Sequence, residues 1–185
     1  MTKLEAILLV AGVADAGLLI AIFAWSILFP RRRLWPPAHS IDWSAVIAWL
    51  LTVAVFVLTI ALGILGWGEI GLPGWVRWGI GLPLVLAGNA VVWAGVARIG
   101  MKATSGAKAE LVTTGLYRYS RNPQYVADMA ILVGFVLVTS AWFAIPVAAA
   151  GVLALAVAPF AEEPWLKQSY GEDFETYRSS TRRYF

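Results

Sequence analysis

The sequence predicts an all-α integral membrane protein with five transmembrane helices, the last two a tight hairpin, followed by a helical C-terminal tail. Three observations predict it. The 185 residues are 60% hydrophobic and only 14% charged, where soluble domains are about 45–50% apolar and roughly 25% charged. Apolar runs recur at the length that crosses a bilayer. Basic residues gather beside alternate ends of those runs. The whole chain reads as one membrane domain, with a two-helix part over 1–74 and a core over 75–185.

A crossing helix needs about 20 apolar residues. The first candidate is Leu4–Phe29, interrupted by Asp15, an acid expected to face other helices. This run is too long for a signal-peptide core and is followed by a basic stop, so it reads as a retained span. Ser44–Leu65 is the second candidate. Trp75–Ile99 is the third, with Arg77 near its edge, where a long side chain can snorkel. From Tyr125 to Phe160 the apolar region covers about 36 residues, too many for one helix and right for two. Ser140 and Pro146 mark the expected break. Ala87-Gly88 and Ala94-Gly95 supply small residues that let membrane helices approach closely.

Charge sets the expected orientation. Arg31, Arg32 and Arg33 follow span one, and Arg98, Lys102, Lys108, Arg118 and Arg121 follow span three. Lys167, Arg178, Arg182 and Arg183 follow span five, so 12 of the 14 basic residues share one side. The opposite loops, near 67–74 and 140–146, carry none. Positive-inside placement makes the basic side cytoplasmic and puts the N-terminus outside. A plasma (inner) membrane is expected. The 10 Trp and 6 Tyr fit interfacial anchoring.

Composition also excludes classes. With no cysteine there is no disulfide, thiolate metal site or cysteine nucleophile. The single histidine, His39, argues against a histidine metal centre, and no metal is expected. The net charge of +3 flanks apolar spans rather than forming a phosphate-tracking surface, so nucleic acid is not an expected partner.

Two polar blocks stand out between the apolar runs, LVTTGLYRYSRNPQY over Leu111–Tyr125 and AEEPWLKQSYGEDFETYRSSTRRYF from Ala161. Both fall on the expected cytoplasmic face. Asn122 is a good N-cap and Pro123 suits the first helical position, so the pair can start span four. The same helix N-terminus can hold a carboxylate, with Arg121 adding a charge-assisted pair. Tyr117, Tyr119 and Tyr125 offer flat faces for an adenine or a sulfonium cation, and Gly115 permits a tight turn. Glu162 and Glu163 sit at the expected inner end of span five. Asp128, one turn into span four, reads as a capping residue. Phe174 and Tyr177 share a helix face, read as an amphipathic tail with Trp165 and Leu166 dipping into lipid.

Together these residues resemble a family. TTGLYRYSRNPQY is similar to the TGPYRYxRHPxY motif of the isoprenylcysteine carboxyl methyltransferase and phospholipid methyltransferase group, and EEPWL…YGEDFETY resembles its EExxL…FGxxYxxY ending. The resemblance runs from about Gly88 to the C-terminus. It implies an integral-membrane methyltransferase with S-adenosyl-L-methionine as cofactor, held on a cytoplasmic loop. Carried over by position, the cofactor-binding residues are Gly115, Tyr117, Arg121, Asn122, Pro123, Tyr125, Glu162 and Glu163. Glu162 or Glu163 is also a candidate base, with Glu163 chosen, and Arg178 is a candidate for orienting an anionic acceptor or neutralising lipid headgroups. Asn122 stands where many members have His, Leu116 replaces Pro, Ala127 replaces Gly, and Gly88-Asn89-Ala90 only partly matches a GxG. The expected acceptor is lipophilic and enters from the bilayer: an isoprenylcysteine-type carboxylate, a phospholipid amine or an apolar thiol. Two alternatives are a sterol-reductase-like NADPH enzyme, for which the chain looks short, and a non-enzymatic membrane scaffold. The oligomeric state is not legible.

Overall fold

The structure, a computed structural model, describes residues 1–37, 42–104 and 110–184, and only the backbone of 101–103. His39, Lys108 and the Lys102 side chain lie outside the described residues. Helix α1 (Lys3–Leu28) opens on a capping box, in which Thr2 Oγ1 accepts from Glu5 N–H and Glu5 accepts from Thr2 N–H. Helix α2 (Trp43–Leu65) is capped by Asp42, whose carboxylate accepts from Ser44 N–H at 3.1 Å. Helix α3 (Gly74–Val76) runs through a π-helical turn, Arg77–Gly81, into α4 (Leu82–Thr104), which kinks at Gly100 with φ 82°. Helix α5 (Pro123–Thr139) and α6 (Ala144–Tyr170) form the expected hairpin, and α7 (Glu172–Ser180) closes the fold.

Among the described residues, four helical stretches are long and apolar enough to cross a membrane: Lys3–Leu28, Trp43–Leu65, Gly74–Gly100 and Ala144–Tyr170. The fifth expected span, α5, is apolar but has only 17 residues. Ser140 makes the break in the left-handed conformation (φ 54°), whereas Pro146 lies inside the first turn of α6.

Helix α6 is the hub, packing against α1, α2, α5 and α7. Its small residues Ala148, Gly151, Ala154 and Ala158 are buried and let neighbours approach, with Val55 of α2 seated over Gly151. Helix α4 packs chiefly on α5. Gly81, Gly88 and Gly95, seven residues apart, all face α5: an added Cβ would meet Gly134 O at 2.9 Å, Ala127 O at 2.9 Å and the Gln124 side chain at 2.6 Å. The sequence marks Gly88 and Gly95 as small and Gly88 as part of an incomplete GxG, but not this regular stripe.

The hairpin tip is stitched to the preceding loop. Gly68 and Ile70 N–H groups donate to Thr139 O and Ser140 O, each at 2.8 Å. Arg77 is held by protein groups. Its Nε donates to Val138 O at 2.9 Å, and its guanidinium lies 5.1 Å from the Trp67 ring and 5.6 Å from the Trp78 ring.

Candidate active site

A cavity of about 720 Å³ opens at the end of the bundle opposite the hairpin tip and runs along the α5 face between α2 and α4. Its lining includes Tyr117, Arg121, Asn122, Pro123, Tyr125, Glu162 and Glu163, so seven of the sequence-selected residues converge. Gly115 stands beside it, opening a 3-10 turn (Gly115–Arg118) at φ 66°, a conformation that suits glycine.

The adjacent glutamates point different ways because neighbours on a helix are about 100° apart. They are not at a helix end, as expected from sequence. Helix α6 continues to Tyr170, with Pro159 and Pro164 flanking the pair.

Glu162 faces the cavity and the α1 side. It accepts from Trp35 Nε1 at 2.7 Å and from the Tyr125 hydroxyl. Ser26 sets Trp35 in place: its hydroxyl donates to Ile22 O at 2.8 Å and accepts from Leu34 and Trp35 N–H, each at 3.0 Å. Trp35 therefore links the N-terminal part of the chain to the site. Its lone position among prolines and arginines gave no periodic signal.

Glu163 faces the tail. Arg121 Nη2 reaches it at 2.7 Å, and Arg183 grips both its oxygens at 2.8 Å and 2.6 Å. The Glu163 and Arg121 side chains are only 11% and 9% exposed, so this clasp is desolvated. Arg183 also stacks 3.8 Å from the Phe160 ring, and the Tyr184 hydroxyl donates to Ala156 O. In this arrangement Glu163 carries two guanidinium partners and is not free to act as a base.

The tail reaches the polar island directly. Arg121 N–H donates to Arg182 O at 2.8 Å, and Arg121 Nη1 donates to Arg178 O at 3.2 Å and to Thr181 O. Asn122 occupies the N-cap position, but its side chain does not cap α5; Nδ2 donates instead to Arg183 O at 3.1 Å. The Asn122 N–H donates to Ser120 Oγ at 3.1 Å. Within this mesh Arg121 Nε is buried and without a hydrogen-bond partner among the described residues.

Tyr117 Oη donates to Gln124 Oε1 at 3.0 Å, and Tyr177 Oη donates to Tyr117 O at 2.5 Å. Burial raises the Tyr117 phenol well above its ordinary range, with the neighbouring Tyr177 and Glu162 adding to it. Burial likewise pushes Tyr177 up to about 12. Both rings stay neutral near pH 7. Phe174 and Tyr177 bury against Tyr117, and Trp165 and Leu166 line the cavity, so this face of the tail meets protein rather than lipid.

Three expectations are displaced. Tyr119 is 68% exposed and sits beside Arg118, outside the cavity lining. The Arg178 side chain is half exposed beside Glu175 and outside the lining too. Asp128 does not cap its helix; it lines the cavity. Asp15, one of whose carboxylate oxygens is buried without a partner, is not in the lining.

The residues fit a carboxylate-bearing, adenosine-containing cofactor. The unpartnered Arg121 Nε and the N-terminus of α5 suit an anion, and Tyr117, Tyr170 and Tyr177 in the lining offer ring faces.

A phospholipid methyltransferase family model matches residues 76–173, from the start of the α4 span to the first turn of α7. The chain is also 27% identical over 107 residues to a protein named steroid 5-alpha-reductase DET2 from Solanum lycopersicum. That match covers 57% of this chain but only 41% of the relative, so the chain spans about two fifths of its length. No solved structure matches. The family match takes in more than half of the chain, including both polar motifs through the glutamate pair, and the chain belongs to the phospholipid methyltransferase family.

Proposed function

We propose that this protein is a membrane methyltransferase that takes its methyl group from S-adenosyl-L-methionine and delivers it to a lipophilic acceptor at the cytoplasmic interface. One observation carries the reading beyond family membership. A single cavity joins a polar end, where Arg121 Nε is buried without a partner, to an apolar slot between α2 and α4. Val57, Asn89 and Trp93 line that slot and are also exposed, so it opens sideways toward lipid.

The bound cofactor supplies an electrophilic methyl on a sulfonium. The chain's part is to position and to dry the site. Arg121 and the start of α5 hold the cofactor's carboxylate. Tyr117 and Tyr177 flank its aromatic part. Glu162, oriented by Trp35 and Tyr125, offers an anionic partner to the hydroxyls or the cation. Glu163 acts one step back, fixing Arg121 and the tail. Arg178 contributes its carbonyl to Arg121 and no side chain to the site. In this reading the chain has five spans, α5 being the short one, with the N-terminus outside and the site in the cytoplasmic half.

The identity to a steroid 5-alpha-reductase supports a second reading, a nicotinamide-dependent reductase. Ligand-induced stabilisation separates the two. Protein in detergent should gain thermal midpoint with S-adenosylmethionine or its demethylated product, by mass action on the folded state, and none with NADPH. A shift with NADPH alone would reverse the assignment. No shift with any of the three would favour a scaffold.

A further inference from the structure

Asp128 stands one turn inside α5 and lines the cavity. It follows Gln124 by four residues and Tyr125 by three, so all three share a helix face. The other two are committed: Gln124 accepts from Tyr117 Oη at 3.0 Å, and Tyr125 donates to Glu162. Asp128 has no hydrogen bond or ion pair to any described residue. The nearby stretch of cavity is walled by Phe56 of α2, Val92 of α4 and Ile131 of α5. Of the polar side chains there, Thr52 Oγ1 donates to Ala48 O at 2.8 Å and Asn89 Nδ2 to Val85 O at 2.9 Å.

A carboxylate in apolar surroundings is costly unless something pairs with it. No described protein group does so here, and the side chain faces the slot by which a lipophilic acceptor enters. We propose that Asp128 is a catalytic residue of the acceptor side, taking the proton from an acceptor whose nucleophilic atom carries one, an amine or a thiol. This rests on the methyl-transfer reading above. The acceptor's lone pair forms the new bond to methyl carbon. The S–CH3 bond breaks with its electron pair left on sulfur, giving a neutral thioether. The acceptor's proton passes to the Asp128 carboxylate, so sulfonium and carboxylate charges both disappear. A carboxylate acceptor has no proton to give and is repelled by Asp128, so it is the disfavoured class.

The titratable groups sharing the cavity with Asp128 are Tyr125 on its own helix, Glu162, Glu163 and Tyr170 on α6, Tyr177 on α7, and Glu110, Tyr117 and Arg121 before α5; the described side chains of α2 and α4 present none. The test uses the full chain in detergent. Labelled-methyl transfer is measured to a prenylated primary amine, a prenylated thiol and a prenylated carboxylic acid. Thermal stabilisation by the demethylated cofactor product is measured in parallel. Asp128→Asn should keep the wild-type thermal shift yet slow transfer to the amine or thiol about a hundredfold, the low end of proton-transfer catalysis. Its rate should recover as pH rises toward the acceptor's own pKa. Asp128→Glu should keep the wild-type pH profile. An Asp128→Asn enzyme with wild-type rate and profile overturns the proposal, as does wild-type protein that methylates neither amine nor thiol. Loss of the thermal shift in Asp128→Asn alone also overturns it, by placing Asp128 on the cofactor side. Wild-type protein showing no shift overturns the methyltransferase reading itself, a separate result.

Discussion

At the scale of single residues, Glu163 shows how a motif position can carry a structural duty. It sits between Arg121 and Arg183 with little water. Removing one partner of a buried ion pair strands the other charges, typically at about 3–5 kcal/mol. Glu163→Ala should therefore lower the thermal midpoint and expose the 178–184 tail to protease before any ligand is added. An unchanged melt with lost cofactor binding would instead make Glu163 a ligand contact. Trp35→Phe keeps an aromatic ring, though a smaller one, and deletes the N–H that reaches Glu162 at 2.7 Å. Hydrogen bonds to charged groups are worth about 1.5–3 kcal/mol, so affinity for the cofactor's demethylated product should fall about tenfold or more while the fold survives. Unaltered affinity would separate Glu162 from that site. Tyr177, pushed up to about 12 by burial, titrates above the ordinary phenol value of about 10. Its share of stability is complete below the unfolded value and is lost as pH rises through the folded one. Proteolysis of the tail should accelerate across that alkaline window, and Tyr177→Phe should flatten the rise. The glutamate pair and Asn-Pro step were legible as sequence. Their partners were not, because Trp35 and Arg183 lie 127 and 20 residues away from the acids they bind.

At the scale of elements, helix positions followed from apolar length, and the break near Ser140 from an apolar run too long for one helix. What the apolar pattern could not convey is which faces meet. A span hydrophobic all round has no amphipathic stripe to read. The α4–α5 contact depends instead on backbone approach at Gly81, Gly88 and Gly134. A Cβ at Gly134 would come within 2.7 Å of Gly81 O, a backbone atom that cannot swing aside. Gly134→Ala should thus destabilise by about 1–3 kcal/mol, read as a lower thermal midpoint in detergent. Gly17→Ala, where nothing lies within 4 Å, is the matched control and should be near neutral. Equal melts for the two would show that α4 and α5 are not held this way.

At the scale of the whole molecule, basic-residue placement yielded an orientation that packing alone does not supply. The chain has no cysteine, so single introduced thiols report topology cleanly. In the proposed arrangement a thiol at Gly71 should react with an impermeant reagent from outside, and one at Ser179 only from the cytoplasm. Labelling of both from one side would refute the five-span count. The cavity itself was invisible in the sequence, since α2, which lines it, lies outside the family match at 76–173. In the proposed five-span arrangement, the shortness of α5 has a physical result for the bilayer. Its 17 residues reach about 26 Å, less than the roughly 30 Å of hydrocarbon it must bridge. Hydrophobic mismatch of this kind is relieved by local thinning. In that arrangement the start of α5, with Arg121 and Asn122, would rest below the surrounding headgroups, and water would follow it inward. Lipid length becomes a control on turnover: short-chain bilayers should relax the dimple, and long-chain bilayers should strain the one helix that carries Asp128.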